Sequence, residues 1–152
     1  MLDYIHVPAI ELKDPKELPN VQRLILPGVG HFDREMEALE RHDWKQHLED
    51  AVHVKEQPVL GICLGMQVLS QGSEEGSKPG LGWIPAQFHQ FKFEASAPQR
   101  IPHMGWNFVN TSSDHPLVAG LDHTTRFYFV HSYYAVCDRS DVILLTTEYG
   151  SS

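Results

Sequence analysis

Cysteine is scarce in this chain: Cys63 and Cys137 are the two thiols in 152 residues, and with no secretory signal read ahead of them a disulfide scaffold is not the expectation. The N-terminus lacks a basic region followed by an apolar stretch and a cleavage site. Long apolar runs are missing too, none approaching the roughly 20 residues needed to span a bilayer. A cytoplasmic location is the expectation. Positive charge is in short supply, with 12 Lys and Arg against 20 Asp and Glu for a formal charge of -8. That balance repels phosphate backbones and anionic lipid, so neither nucleic acid nor a membrane is an expected partner. The ten histidines show neither His-x3-His spacing on a helix with a third ligand nearby nor a Cys/His knuckle, so no metal is expected. Solenoid-period repeats and low-complexity tracts are likewise missing.

What is present is an ordinary globular composition, 41% hydrophobic, and a length that suits one domain over residues 1–152 with a core of its own. Its most informative stretch is Pro58-Val59-Leu60-Gly61-Ile62-Cys63-Leu64-Gly65-Met66-Gln67, an apolar strand that breaks into a helix at a cysteine with glycine two residues away on each side. That is the pattern of a nucleophile elbow, a turn too sharp for side chains at both flanking positions. A thiol at a helix N-terminus also faces the positive end of the helix dipole, which favours thiolate. The bland alternative is a buried structural cysteine, since free Cys packs as a small hydrophobe. Cys137 follows an apolar strand without a glycine frame and reads as a packing residue.

Residues 21–30 read as a buried strand running into the glycine-rich turn Pro27-Gly28-Val29-Gly30, followed by Phe32, Met36 and Leu39 at helical spacing. The segment from Pro58 repeats this plan, with a helix through Met66 and Leu69 that stops near Gly72. Two such units imply parallel strands with crossover helices, and a site at the carboxyl ends of the strands where both turns lie. There Pro27–Gly30 brings unencumbered backbone N–H groups to an oxyanion formed at the elbow, unless it is an ordinary loop before a helix. From Gly76 onward Phe88, Phe91 and Phe93, Phe127–Tyr134 and Val142–Thr147 read as strands, making the second half mainly β.

Four stretches in order, Leu26-Pro27-Gly28-Val29-Gly30 with Phe32, Gly61 to Gln67, Pro102-His103-Met104-Gly105-Trp106-Asn107, and Tyr128-Phe129-Val130-His131-Ser132-Tyr133-Tyr134, resemble the class I (triad) glutamine amidotransferases. The Pro-His-Met-Gly-Trp-Asn run resembles in particular the glutaminase subunit of imidazole glycerol phosphate synthase. The resemblance implies a three-layer α/β/α, flavodoxin-like fold and a Cys63 thioester that converts glutamine to glutamate and ammonia without a cofactor. It further implies oxyanion donors at Gly28, Val29, Gly30 and Leu64, and glutamine contacts at Gly65, Gln67, His131, Ser132 and Tyr133. On residue chemistry alone Gln67 reads equally as a solvated helix residue, and Tyr128–Tyr134 as an aromatic-rich strand. By the same resemblance His103, Met104, Trp106 and Asn107 face a (β/α)8-barrel cyclase. That partner receives the ammonia for imidazole glycerol phosphate and AICAR formation in histidine biosynthesis. On residue chemistry alone, a Met and a Trp flanked by Pro and Gly suit a core turn equally well.

The family's base and acid come from a His-Pro-Glu run on a strand beyond Thr146-Thr147-Glu148-Tyr149-Gly150, and this sequence ends at Ser152. His115-Pro116 is followed by Leu117 and matches neither position nor pattern. At the other end Met1–Ile5 resembles the close of the family's first helix, without the strand before it. The expectation is an incomplete glutaminase domain, lacking the first and the catalytic C-terminal strands, that melts poorly cooperatively and turns over little glutamine alone. Three alternatives compete. One is a related amidotransferase for sugar amidation in surface-polysaccharide synthesis, and another is a non-catalytic module that binds glutamine or a synthase partner. The third is an unrelated hydrolase using Asp122 and His131 with Cys63.

Overall fold

The computed structural model describes residues 2–95 and 99–150. Asp3–Ile5 forms one 3-10 turn where the end of a helix was expected, and Met1 lies outside the described residues. A second 3-10 helix, Pro15–Asn20, is closed by a capping box in which the Lys16 N–H donates to Asp14 Oδ1 at 2.9 Å and Glu17 reaches back to the Asp14 N–H. It delivers Leu18 to the core.

The first unit runs from strand β1 (Leu24–Gly28) to helix α1 (Phe32–Arg41). Phe32, Met36 and Leu39 recur on one helical face and are buried, as their spacing requires. Asp33 and Glu35 in the first turn and Arg41 in the last complement the helix dipole. A helix α2 (Trp44–Glu49) and a π-helical turn, Asp50–Val54, follow and carry Leu48 and Ala51 inward. The second unit is strand β2 (Val59–Cys63) and helix α3 (Leu64–Val68). β1 and β2 are parallel, in register from Leu24 opposite Val59 to Gly28 opposite Cys63. The two turns therefore lie side by side at the carboxyl ends of the strands.

One face of this pair is covered. α3 packs on β1, β2 and α1, and Phe32, Met36, Leu39, Leu64, Val68 and Leu69 close the core between them. Each such side chain contributes about 1.5–3 kcal/mol by burial. The other face carries exposed Ile25, Leu60 and Ile62. β1 is thus alternating rather than buried throughout, and the expected three layers are two among the described residues. The helix after the elbow is also shorter than expected, ending at Val68. The Gly80–Ile84 segment straps its end, with the Leu81 N–H donating to the Val68 carbonyl at 2.8 Å and the Trp83 N–H to that of Leu69 at 2.9 Å.

The second half is mainly β. Strand β3 (Gly72–Ser73) pairs parallel with β4 (Ala86–Gln90), and β5 (His103–Phe108) and β6 (Asn110–Thr111) follow. After the Pro116–Val118 turn come β7 (Arg126–His131), β8 (Tyr133–Cys137) and β9 (Leu145–Thr146). β7 lies antiparallel to β5, β8 antiparallel to β4, and β9 antiparallel to β6. Phe91 and Phe93 fall just outside β4 rather than in a strand. Only Ser132 separates β7 from β8, so this chain segment changes sheets at that residue.

Candidate active site

The end of β2 turns sharply into α3, and Cys63 carries the turn at φ 56 and ψ -121. This is a conformation that glycine favours and a β-carbon resists, costing about 1–3 kcal/mol when held. Its flanking glycines are sterically required. A Cβ on Gly61 would lie 2.6 Å from Met66 Cα, and one on Gly65 would run into the Leu26 carbonyl oxygen. The strand and helix therefore approach backbone to backbone on both sides of the thiol, and Cys63 is exposed at the apex. With five residues, α3 offers a shorter dipole than the sequence suggested.

Gly28 sits directly across the parallel ladder from Cys63, which brings Pro27–Gly30 alongside the elbow. Val29 is 88% exposed, and Gly30 adopts φ 110 with open space where a Cβ would stand. Among the described residues no hydrogen bond engages the Val29 or Gly30 N–H. Leu64 and Gly65 open α3 and are buried at its first turn. Gln67 is half-buried on the same helix, its Oε1 enclosed and without a hydrogen-bond partner among the described residues.

Ser132 lies at the strand bend, its carbonyl accepting the Phe91 N–H at 3.0 Å. Burial pushes the Tyr133 phenol above its ordinary pKa, and the carboxylates of Glu75 and Glu74 push it further. Glu75 was not anticipated from the sequence. Its carboxylate accepts the Phe32 N–H at 2.9 Å, tying the loop after β3 to the start of α1 beyond the Pro27–Gly30 turn. Asp33 makes a parallel tie, accepting from the Ser77 and Lys78 N–H groups, and these bonds hold its carboxyl below the usual range. The available signal was an acidic pair, Glu74-Glu75, in a loop one turn of chain after the nucleophile helix.

His131 has both ring nitrogens committed, Nδ1 to the Tyr133 carbonyl at 2.7 Å and Nε2 to His103 Nδ1 at 2.9 Å. Asp122 accepts from the Thr124 N–H and from the Thr124 and Thr125 hydroxyls in its own turn. The alternative triad of Cys63, Asp122 and His131 is therefore not assembled. His115 caps the Pro116–Val118 turn, its Nδ1 accepting the Leu117 N–H. Among the described residues no side chain hydrogen-bonds to Cys63, and no cluster of three His, Cys, Asp or Glu is placed to hold a metal ion. Cys137 is half-buried on β8, and burial followed by the Asp138 charge raises its thiol pKa.

The run from His103 to Asn107 divides by strand alternation. Met104 and Trp106 project outward, 60% and 66% exposed, with Phe108, Tyr128 and Val130 beside them. Trp106 meets Tyr128 edge to face at 5.7 Å, and the Arg126 guanidinium lies 5.7 Å over the Phe108 ring. His103 is on the reverse face, 3% exposed, with half-buried Asn107. Period-2 alternation thus separates these two from the outward surface on which all four were expected.

A sequence model of the family described as glutamine amidotransferase class-I matches residues 4–150. The chain is 42% identical over 150 residues to the imidazole glycerol phosphate synthase subunit HisH 2 of Pseudomonas aeruginosa, covering 99% of this chain and 73% of the relative. It is 45% identical over 149 residues to the subunit of the same name from Methanococcus maripaludis, covering 98% and 73%. A solved structure, described as a glutamine amidotransferase, shares the fold at a TM-score of 0.63 and 17% identity, over 91% of this chain and 65% of that one. Among the described residues no helix is long and apolar enough to cross a membrane. The chain belongs to the class-I glutamine amidotransferases, among the HisH subunits of imidazole glycerol phosphate synthase.

Proposed function

We propose that Cys63 is the nucleophile of a glutaminase half-reaction. Its sulfur attacks the side-chain amide carbon of glutamine, the carbonyl oxygen becomes an oxyanion, the thiol proton passes to the amide nitrogen, and collapse expels ammonia to leave a glutamyl thioester. Water then cleaves the thioester to glutamate and restores the thiol. Backbone N–H groups at Gly28–Gly30 and Leu64 receive the oxyanion, with a peptide rotation at Gly30 bringing a donor inward. Gln67, Ser132 and Tyr133 hold the substrate, joined by Gly65 at the floor of the turn. The observation that carries this reading is Cys63 at φ 56 and ψ -121, in register with Gly28.

The outward face of Met104, Trp106, Phe108, Tyr128 and Val130 is the surface we assign to the synthase partner, a (β/α)8-barrel cyclase that takes the ammonia. Supporting this, five large apolar side chains are exposed together on one sheet face, well beyond scattered surface residues. The three-layer arrangement is the architecture we propose for the assembled glutaminase domain.

A second reading, binding without appreciable turnover, is favoured by Cys63 having no side-chain hydrogen-bond partner among the described residues that would take its proton. Calorimetric titration with glutamine and a steady-state ammonia assay on the 152-residue chain separate the two. Binding with little turnover supports the second reading. Turnover abolished by Cys63→Ala supports the first, and failure to bind glutamine at all contradicts both.

A further inference from the structure

We propose that His103 is a positioning residue for the glutamine-holding segment: its Nδ1–H, donated to Nε2 of its cross-strand neighbour His131, fixes the sheet-switching bend at Ser132 and Tyr133. The functional meaning of this bridge rests on the reading of Ser132 and Tyr133 as substrate contacts; the bridge itself does not.

The proton positions follow from the partners. A carbonyl only accepts, so His131 Nδ1, 2.7 Å from the Tyr133 carbonyl, carries a hydrogen. Neutral His131 then has a lone pair at Nε2, and His103 Nδ1 at 2.9 Å must be the donor. His103 Nε2 becomes an acceptor, met by the Asn107 amide nitrogen at 3.4 Å. The Asn107 amide cannot reverse without loss, because its nitrogen also donates to the Glu148 carbonyl at 2.9 Å and its oxygen accepts the Phe108 N–H at 2.8 Å. One ordered chain of hydrogens therefore runs from Asn107 through His103 and His131 to the Tyr133 carbonyl.

The surroundings hold His103 in place. His103 and His131 stand directly opposite each other in the β5–β7 register. The His103 ring is stacked between Phe129, at 4.7 Å, and Tyr149, at 3.8 Å, with Phe91 edge-on at 6.5 Å. Met104, Trp106 and Phe108 occupy the other face of the same strand, so the bridge links the outward apolar surface to the bend.

An added proton has no place in this chain. On His131 Nε2 it opposes the His103 hydrogen, and on His103 Nε2 it opposes the Asn107 amide. Burial, then the His131 ring, lowers the His103 pKa from its ordinary value. The titratable groups facing the pair are the two imidazoles and the Tyr149 phenol, which donates to the Arg100 carbonyl; Tyr133 and Glu148 enter through their carbonyls. A depressed histidine pKa means the bridge is fully present above the unfolded value near 6.5 and is lost as pH falls through the lower folded value.

The test is imidazole nitrogen and backbone amide NMR on the full chain, with glutamine calorimetry alongside. At about pH 7.5 both rings are expected as neutral Nδ1–H tautomers, and the Ser132 and Tyr133 amides shift as His103 titrates. His103→Asn keeps a donor near the Nδ1 position and leaves those amides near wild type. His103→Gln places its amide near Nε2, shifts them, and weakens glutamine binding about five- to tenfold. An Nε2–H tautomer on His131, or Ser132 and Tyr133 amides indifferent to His103→Gln, overturns the proposal and needs no ligand to be seen. A wild-type chain with the predicted tautomers that binds no glutamine sustains the bridge and removes the substrate-contact reading.

Discussion

Cys63 is held in a backbone conformation that its own β-carbon disfavours, and the strain is sustained by contacts on either side of it. Cys63→Gly should relieve that strain and raise unfolding stability by about 1 kcal/mol while removing the nucleophile. Gly65→Ala should do the reverse, lowering stability by at least about 2 kcal/mol, because its methyl meets the Leu26 carbonyl oxygen rather than a movable side chain. Urea denaturation of both variants measures the pair of shifts, and a neutral Gly65→Ala would contradict the close approach. The elbow was legible because strand, glycine, nucleophile, glycine and helix follow one another between Pro58 and Gln67. Glu75 was not, since its partner Phe32 is 43 residues away and no local pattern announces the contact.

At the scale of elements, the helix α1 was readable from Phe32, Met36 and Leu39, whose burial follows their spacing. Strand β5 was not readable as such. Its alternation places Met104 and Trp106 in solvent and His103 inside, the inverse of the usual pattern, and Gly105 at φ 134 interrupts it further. The join between β3 and β4 gives a pH-dependent prediction. Glu74 accepts the Gln90 N–H and interacts with His89 and Lys92, which lowers its pKa to about 2. A depressed carboxylate stabilises the fold above its unfolded pKa of 4.5, and that contribution is lost as pH falls toward 2. Glu74→Gln should therefore flatten the decline in melting temperature over this interval relative to wild type. Parallel declines in the two proteins would show that the hydrogen bonds to Glu74 carry no linkage.

For the molecule as a whole, the order of motifs made the family legible and the two strand-loop-helix units made the parallel β1–β2 pair legible, whereas how the strands of the second half group did not show in the sequence. Among the described residues the strands form four small sheets, and the β1–β2 pair leaves Ile25, Leu60 and Ile62 exposed on one face. Pairing between distant segments decides such grouping, and single-strand patterns do not encode it. The 152-residue chain should accordingly melt over a broad interval and self-associate at raised concentration, with Leu60→Thr reducing the association. A sharp, concentration-independent two-state transition would contradict this. The proposed role of Cys63 is to attack glutamine bound beside Gly28–Gly30. Its most direct measurement is mass spectrometry of the chain after exposure to an electrophilic ketone analogue of glutamine, with and without excess glutamine. A single adduct on Cys63, suppressed by glutamine, is expected. Labelling of Cys137 in preference, or labelling of Cys63 that glutamine leaves unchanged, would contradict it.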